Sequence, residues 1–178
     1  MTRSWPAWAV ETVEVSEPDP AWARRATTLI EDLNRRLDRW LTGPVEHVGS
    51  TAVPGLAAKP IVDLMAPAAS LDDSAGADGT LAAAGWSLVP PDLDQRPWRR
   101  MFVLAEQDRR LAHLHLVESE HPRWRQALAF RDRLRDHPEL AAEYAHLKRR
   151  AAQVHPSDRE AYTQAKSAFV AAVVSDIG

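Results

Sequence analysis

The alternation of hydrophobic and polar residues predicts strands in the first two thirds of the chain and helices in the last third. Alternating or continuous apolar runs indicate strands at 10–15, 45–48, 60–65, 86–89, 99–104 and 111–118. Apolar residues at helical spacing indicate helices at about 20–41 and 71–85. From residue 122 the pattern stays helical, and Pro138 and Pro156 divide it into three helices. This order predicts an α+β fold in which helices flank a mixed β-sheet.

Length and composition indicate one globular domain over residues 1–178, with the sheet and its helices in 1–120 and three helices in 121–178. The 178 residues are 45% hydrophobic and 26% charged, which suits a protein with a buried core. The net charge of −3 argues against general binding to nucleic acid or to an anionic membrane. No apolar run approaches the roughly 18 residues of a spanning helix, so we expect a cytoplasmic protein.

The segment from residue 45 to residue 65 carries the clearest chemical signal. A predicted strand leads into Gly49-Ser50, where glycine lets the backbone approach a ligand closely. The hydroxyls of Ser50 and Thr51, with nearby backbone N–H groups, suit phosphate oxygens. Asp63 lies inside an apolar strand, where a carboxylate requires a metal, a cation or hydrogen-bond donors. A structural ion pair with Arg99 or Arg100 is the alternative for Asp63.

Cations and one further histidine complete the candidate binding residues. The chain has no cysteine, which excludes disulfides and thiolate metal sites. It has only three lysines among 22 basic residues, so Lys59, four residues before Asp63, is expected to contact a phosphate or carboxylate. Lys166 is expected to reach the same cleft, and Arg99 to add a positive rim. His47 shares its predicted strand face with the Gly49 turn, which makes it a candidate for lining the pocket.

Two histidines share one face of the last predicted strand. Because side chains alternate along a strand, His113 and His115 project to one side, while Leu114 and Leu116 project to the other. Two polar side chains on one face indicate that this face is not closed core. The alternative is a hydrogen-bonded pair at a sheet edge.

Four segments resemble the GrpB family of small bacterial proteins, which is related to the nucleotidyltransferase superfamily and to a domain fused to some dephospho-CoA kinases. The matching segments, with the start EPDPAW (17–22), are EHVGSTAVPGLAAKPIVDLM (46–65), HLHLVE (113–118), LAFRDRLRDHPELAAEY (128–144) and DREAYTQAKSAFV (158–170). The resemblance implies a nucleotidyltransferase-like fold. It also implies that the Gly-Ser turn holds nucleotide phosphates, and that carboxylates on neighbouring strands hold a divalent metal.

The chain departs from that pattern at the carboxylates. Asp63 matches the first acid, but Met65 stands in place of the second, and the later strand offers His113 and His115. One carboxylate and two imidazoles form a poor Mg²⁺ site and suit Mn²⁺ or Zn²⁺ better. Three interpretations stay open: a metal held by Asp63, His113 and His115, acid–base chemistry by histidine, or binding without catalysis.

The leading hypothesis is a protein that binds a nucleotide or another anionic phosphorylated small molecule, with nucleotidyl transfer as the candidate reaction. Asp63, His113 and His115 are then the candidate catalytic residues. The alternative is a non-catalytic partner domain that stabilises an enzyme of coenzyme A synthesis, since the resemblance extends to a domain fused to such enzymes. Fold resemblance does not decide between the two hypotheses.

Overall fold

A five-stranded mixed sheet forms the centre of the protein. The computed structural model describes residue 12 and residues 14–175, apart from the side chain of residue 159. The strands are β1 (Glu46–Val48), β2 (Val62–Ala68), β3 (Trp86–Leu88), β4 (Arg99–Glu106) and β5 (Arg109–Glu118). Their order across the sheet is β1-β2-β5-β4-β3, and only β2 and β5 are parallel among these neighbours. The predicted α+β fold with a mixed sheet is confirmed.

One face of the sheet is covered by the first helix, α1 (Ala21–Leu37). The Asp19 side chain accepts a hydrogen bond from the N–H of Ala21 at the start of this helix. The apolar stripe of α1 then packs with Leu64 and Leu114, which are fully buried in the centre of the sheet. Burial of this stripe stabilises the helix and leaves the opposite face of the sheet to the C-terminal helices.

The remaining helices are shorter or lie at the C-terminal end of the chain. They are α2 (Asp78–Ala83), α3 (Pro91–Asp94), α4 (Pro122–Asp136), α5 (Pro138–Val154), α6 (Arg159–Gln164) and α7 (Ser167–Ser175). Helices α4, α5 and α7 share a second apolar cluster, which includes Phe130, Tyr144 and Val173. This cluster also takes in Val53 and Leu56 from the loop between β1 and β2, and so fixes the helical layer to the sheet.

Three elements differ from the pattern-based predictions. The third predicted C-terminal helix is two helices, because a turn in which the N–H of Lys166 bonds the carbonyl of Thr163 separates α6 from α7. The predicted helix at 71–85 is a 3₁₀ helix, Asp73–Ala77, followed by the short α2. The predicted strand at 10–15 falls largely outside the described residues, and residues 12, 14 and 15 are not in a strand.

Among the helices of the described residues, none combines the length and apolar character that crossing a membrane requires.

Candidate functional site

The turn after β1 is built on a glycine that no other residue replaces easily. Gly49 has φ 70° and ψ −167°, a conformation that side chains rarely adopt, and it leads into a 3₁₀ helix, Ser50–Ala52. A Cβ placed on Gly49 would lie 3.0 Å from Oδ2 of Asp63. The glycine therefore allows the turn to lie directly against the carboxylate on β2.

Asp63 meets both histidines of β5 on the sheet face opposite α1. The parallel pairing of β2 and β5 sets Asp63 beside His113 and Met65 beside His115. Nδ1 of His113 lies 2.9 Å from Oδ1 of Asp63, and Nε2 of His115 lies 3.8 Å from the same oxygen. Only the first distance is that of a hydrogen bond. The structure thus brings together the three residues that the sequence suggested as a metal or acid–base cluster.

The far side of each imidazole ring faces an arginine. Nη1 of Arg99 lies 3.0 Å from Nδ1 of His115, and Nη1 of Arg110 lies 3.4 Å from Nε2 of His113. Burial lowers the pKa of His115 to about 4, and burial also lowers the pKa of His113, although Asp63 opposes both shifts. Both rings are therefore neutral at neutral pH.

Asp63 is ionised in this setting. Burial opposes its ionisation, but the neighbouring imidazoles of His113 and His115 outweigh burial and hold the pKa of the Asp63 carboxyl well below its ordinary value. The carboxylate lies deep among other side chains, yet 36% of the Asp63 side chain is accessible from an open cavity. A fixed negative charge thus faces that cavity.

The cavity, of about 1410 Å³, lies between this sheet face and the C-terminal helices. All three lysines of the chain, Lys59, Lys148 and Lys166, line its wall together with the turn at Gly49. Nζ of Lys166 lies 4.1 Å and Nζ of Lys59 4.8 Å from the ring centroid of Tyr162. The predicted approach of Lys59 and Lys166 to one cleft agrees with this geometry.

A short repeated pattern marks two of these lysines in the sequence. Tyr144 precedes Lys148 by four residues, and Tyr162 precedes Lys166 by four, so each pair lies on one helical face. Nζ of Lys148 is 4.7 Å from the centroid of Tyr144 and donates to the carbonyl of Ala57. Burial lowers the pKa of Lys148 to about 7 and that of Lys166 to about 8, and neighbouring cations add to both shifts. The wall is therefore a set of crowded, partly desolvated amines.

Ser50 and Thr51, the two hydroxyl residues of the turn, have different surroundings. Ser50 lines the cavity and interacts with the side chain of Tyr144. Thr51 also borders the cavity but is largely buried, and its hydroxyl lies 2.9 Å from Nε2 of His47 and donates to the carbonyl of Ile61. Thr51 thus ties the turn to the loop before β2.

His47, a predicted pocket residue, lies behind the cavity wall and reaches it through Thr51. Antiparallel pairing places His47 opposite Leu64, so its ring leaves β1 on the sheet face away from Asp63, and His47 is absent from the cavity wall. Burial lowers the pKa of His47 to about 4, which keeps the ring neutral beside Thr51. The Gly49 turn reverses direction after Val48, and simple alternation along the strand does not continue through it.

The alternative pairing of Asp63 with an arginine is wrong. Arg99 forms a two-point ion pair with Asp94, and Arg100 bonds to Asp78 on α2. Arg99 does line the cavity, as predicted, but its guanidinium is already bonded to Asp94 and His115. Arg99 thus has a structural role in joining Asp94 to His115.

Several cavity residues were not singled out by the sequence as binding candidates. His121, Arg110 and both tyrosines line the cavity, and the ring of His121 stacks there on the ring of Trp98 at 5.6 Å between centroids. His121 also caps α4, because its Nδ1 accepts a hydrogen bond from the N–H of Arg123. The tyrosine–lysine spacing was the signal available for Tyr144 and Lys148.

Comparison with known proteins identifies relatives across most of the chain. The family model described as GrpB protein matches residues 12–176. UPF0157 protein YqkA of Bacillus subtilis is 35% identical over 126 residues, which are 71% of this chain and 36% of YqkA. A dephospho-CoA kinase of Mycolicibacterium paratuberculosis is 28% identical over 176 residues, which cover 86% of this chain and 43% of the kinase. The chain thus spans less than half the length of these two relatives.

A solved structure shares the fold over nearly its whole length. The crystal structure of conserved protein GrpB from Enterococcus faecalis matches with a TM-score of 0.80 and 29% identity, covering 92% of this chain and 96% of that one. The fold and the site define a small α+β protein in which one carboxylate and two imidazoles face a lysine-lined cavity. With the family match over residues 12–176, the chain belongs to the GrpB family.

Proposed function

We propose that this protein binds a phosphorylated, anionic small molecule, with a nucleotide as the leading candidate, in the cavity between the sheet and the C-terminal helices. The observation that carries the proposal is that all three lysines of an arginine-rich chain line this one cavity. An ammonium group is a compact point charge that suits phosphate oxygens. Ammonium groups crowded on a partly buried wall repel one another, and a bound anion offsets that repulsion.

The proposed binding mode places the two ends of the ligand on different groups. Phosphate oxygens would contact Lys59, Lys166 and the turn at Ser50, which share the cavity wall. A hydroxyl or amino group elsewhere on the ligand would donate to the ionised Asp63. Trp98 and His121, which stack on each other in the cavity wall, would provide the aromatic contact for a base. The cavity volume of about 1410 Å³ accommodates a molecule of this size.

Nucleotidyl transfer is the candidate reaction for this site. Its support is the Gly49-Ser50 turn lying against Asp63, with a Gly49 Cβ position 3.0 Å from the carboxylate. Met65 stands where a second acid would be, and it packs in an apolar cluster with Val48 and Val117. Asp63 would then accept a hydrogen bond from the attacking hydroxyl while His113 holds the carboxylate in place, and the alternative is a binding site without turnover.

Thermal denaturation with a panel of nucleotides tests the proposal. The panel contains ribonucleoside mono-, di- and triphosphates and pyrophosphate, each in EDTA and then with Mg²⁺, Mn²⁺ or Zn²⁺. A ligand at 100 times its Kd stabilises the folded state by about 2.7 kcal/mol, which raises Tm by about 5–10 °C in a chain of this length. The proposal fails if neither the nucleotides nor pyrophosphate raise Tm.

Three variants show whether binding occurs in this cavity. Lys59→Met and Lys166→Met each remove one ammonium group from the wall and are expected to abolish most of the ligand-induced rise in Tm. Arg125→Met is the matched control, since it removes one positive charge from an exposed position on α4 that is absent from the cavity wall. Loss of the rise in the control as well would mean that only overall charge attracts the ligand.

A second candidate function is that of a non-catalytic partner domain. The similarity to a dephospho-CoA kinase, of which this chain covers 43%, favours a role in stabilising such an enzyme. A pull-down with dephospho-CoA kinase separates the two candidates. A stable complex, together with no response to any nucleotide, would support the partner function and overturn the ligand-binding proposal.

A further inference from the structure

Each imidazole ring of the candidate site has one nitrogen towards Asp63 and the other towards an arginine. Nδ1 of His113 faces Asp63, and its Nε2 faces Nη1 of Arg110. For His115 the nitrogens are reversed, since Nε2 is nearer Asp63 and Nδ1 faces Nη1 of Arg99. The two rings therefore have the same arrangement although they use opposite nitrogens.

A guanidinium group determines which nitrogen carries the proton. Arginine has only N–H donors and no acceptor, so a ring nitrogen bonded to it must present a lone pair. In a neutral imidazole the other nitrogen then carries the hydrogen. His113 is thereby protonated at Nδ1 and His115 at Nε2, so both rings present an N–H to Asp63.

This arrangement is opposite to that of a metal site. A metal ion beside Asp63 would require lone pairs on the ring nitrogens that face the carboxylate. Metal-binding histidines gain such a lone pair by donating the other N–H to a carboxylate or carbonyl acceptor. Here the guanidinium groups of Arg99 and Arg110 face the ring nitrogens that point away from Asp63. They favour the tautomer in which the nitrogen towards Asp63 carries a hydrogen and cannot bind a metal. One potential ligand atom from each of the three side chains lies within 4.8 Å of the others, as a metal site requires, but the hydrogen bonding of the rings does not fit a metal.

We infer that Arg99 and Arg110 are positioning residues that hold His113 and His115 as N–H donors to Asp63, so that this cluster receives a hydroxyl or amino group of a ligand in place of a metal ion. The ionised carboxylate is the acceptor in the cluster. The N–H of His113 bonds it at 2.9 Å, and the N–H of His115 points towards it from 3.8 Å. The tautomers of the two rings concern the hydrogen bonds of the protein alone, whereas the ligand group that Asp63 receives rests on the proposed function.

Imidazole nitrogen NMR tests the inference directly. Long-range ¹⁵N–¹H spectra of the labelled protein at neutral pH distinguish a protonated ring nitrogen from one with a lone pair. Among the signals of the seven histidines, those of His113 and His115 are assigned by their disappearance in His113→Gln and His115→Gln. We expect His113 protonated at Nδ1 and His115 at Nε2. Protonation of His113 at Nε2, the form that free imidazole side chains prefer in water, would overturn the inference.

Zinc titration of the same sample gives the second readout. One equivalent of Zn²⁺ is expected to leave the signals of both rings unchanged, without stabilising the protein. Stoichiometric Zn²⁺ binding that shifts both rings and is lost in Asp63→Asn would contradict the inference, whatever the response to nucleotides.

Replacement of one arginine separates positioning from a merely structural role. Arg110→Met removes the donor at Nε2 of His113, so the His113 signal is expected to move towards the Nε2-protonated form while His115 is unchanged. Arg109→Met is the matched control, because it removes the neighbouring charge from a side chain that is 66% exposed. An unchanged His113 tautomer in folded Arg110→Met would refute the role of Arg110. If that variant does not fold, the spectra of the unmodified protein still decide the tautomers.

Discussion

Replacing Gly49 with alanine is expected to destabilise the protein by about 2–4 kcal/mol. The backbone at φ 70° and ψ −167° lies in a region that is almost confined to glycine, at a cost of about 1–3 kcal/mol for another residue. The new Cβ would also lie 3.0 Å from Oδ2 and 3.3 Å from Cβ of Asp63. Relief of that contact requires a shift of the β2 side chain or of the turn, at a further cost of about 1 kcal/mol.

Two other glycines separate the backbone cost from the contact cost. Gly55 has φ 75°, and its Cβ position has no neighbour within 4 Å, so Gly55→Ala carries strain alone, about 1–2 kcal/mol. Gly79 lies in α2 without positive φ and without a close neighbour, so Gly79→Ala is expected to stabilise the helix by up to about 1 kcal/mol.

Urea denaturation of the three variants measures these free energies of unfolding. The expected order of stability is Gly79→Ala, then Gly55→Ala, then Gly49→Ala. If Gly49→Ala is no less stable than Gly55→Ala, the turn does not lie against Asp63 and the site geometry is wrong. The Gly49→Ala variant is also expected to lose ligand-induced stabilisation, because the methyl group displaces the carboxylate from its position beside His113.

Two further predictions concern groups outside the Asp63 cluster. Lys148 is 2% exposed with a pKa lowered to about 7, so between pH 7 and 10 the unfolded chain binds a proton that the folded protein has released. The free energy of unfolding should therefore rise with pH in this window, by at most about 1.4 kcal/mol per unit, and more steeply than in Lys148→Met. Equal slopes in urea denaturation would contradict the lowered pKa. Arg131 on α4 bonds Oε2 of Glu46 at 2.7 Å and the carbonyl of His47 at 3.0 Å. Arg131→Met is expected to cost about 1–3 kcal/mol in the same assay, and Arg125→Met no more than about 0.5. Similar losses in both would show that Arg131 does not hold the edge strand.

The sequence predicted the parts of the fold that depend on local periodicity. Alternation along β5 placed His113 and His115 on one face, with Leu114 in the core, and the structure agrees. The apolar stripe of α1 predicted a helix on the sheet, and a polar Asp63 in an apolar strand marked the face that stays open. Each of these depends on spacing within one element, which fixes the direction of a side chain without knowledge of its neighbours.

The remaining features depend on contacts between elements that are distant in the chain. The face on which the His47 ring lies is set by the register of β1 against β2, which the sequence does not give. Arg99 was not expected to bond both Asp94 and His115, since that geometry arises only once β4 and β5 are paired. The break between α6 and α7 has no proline or glycine to mark it, so the pattern from 157 onward was interpreted as one helix.

A crystal structure with the nucleotide that most raises Tm, prepared in EDTA, tests the central claim most directly. The prediction is density for phosphate groups among Lys59, Lys166 and the Ser50 turn, with a ligand hydroxyl or amino group on Asp63. Phosphates bound outside this cavity, or a cavity closed by rearranged side chains, would contradict the claim that these residues form one binding site.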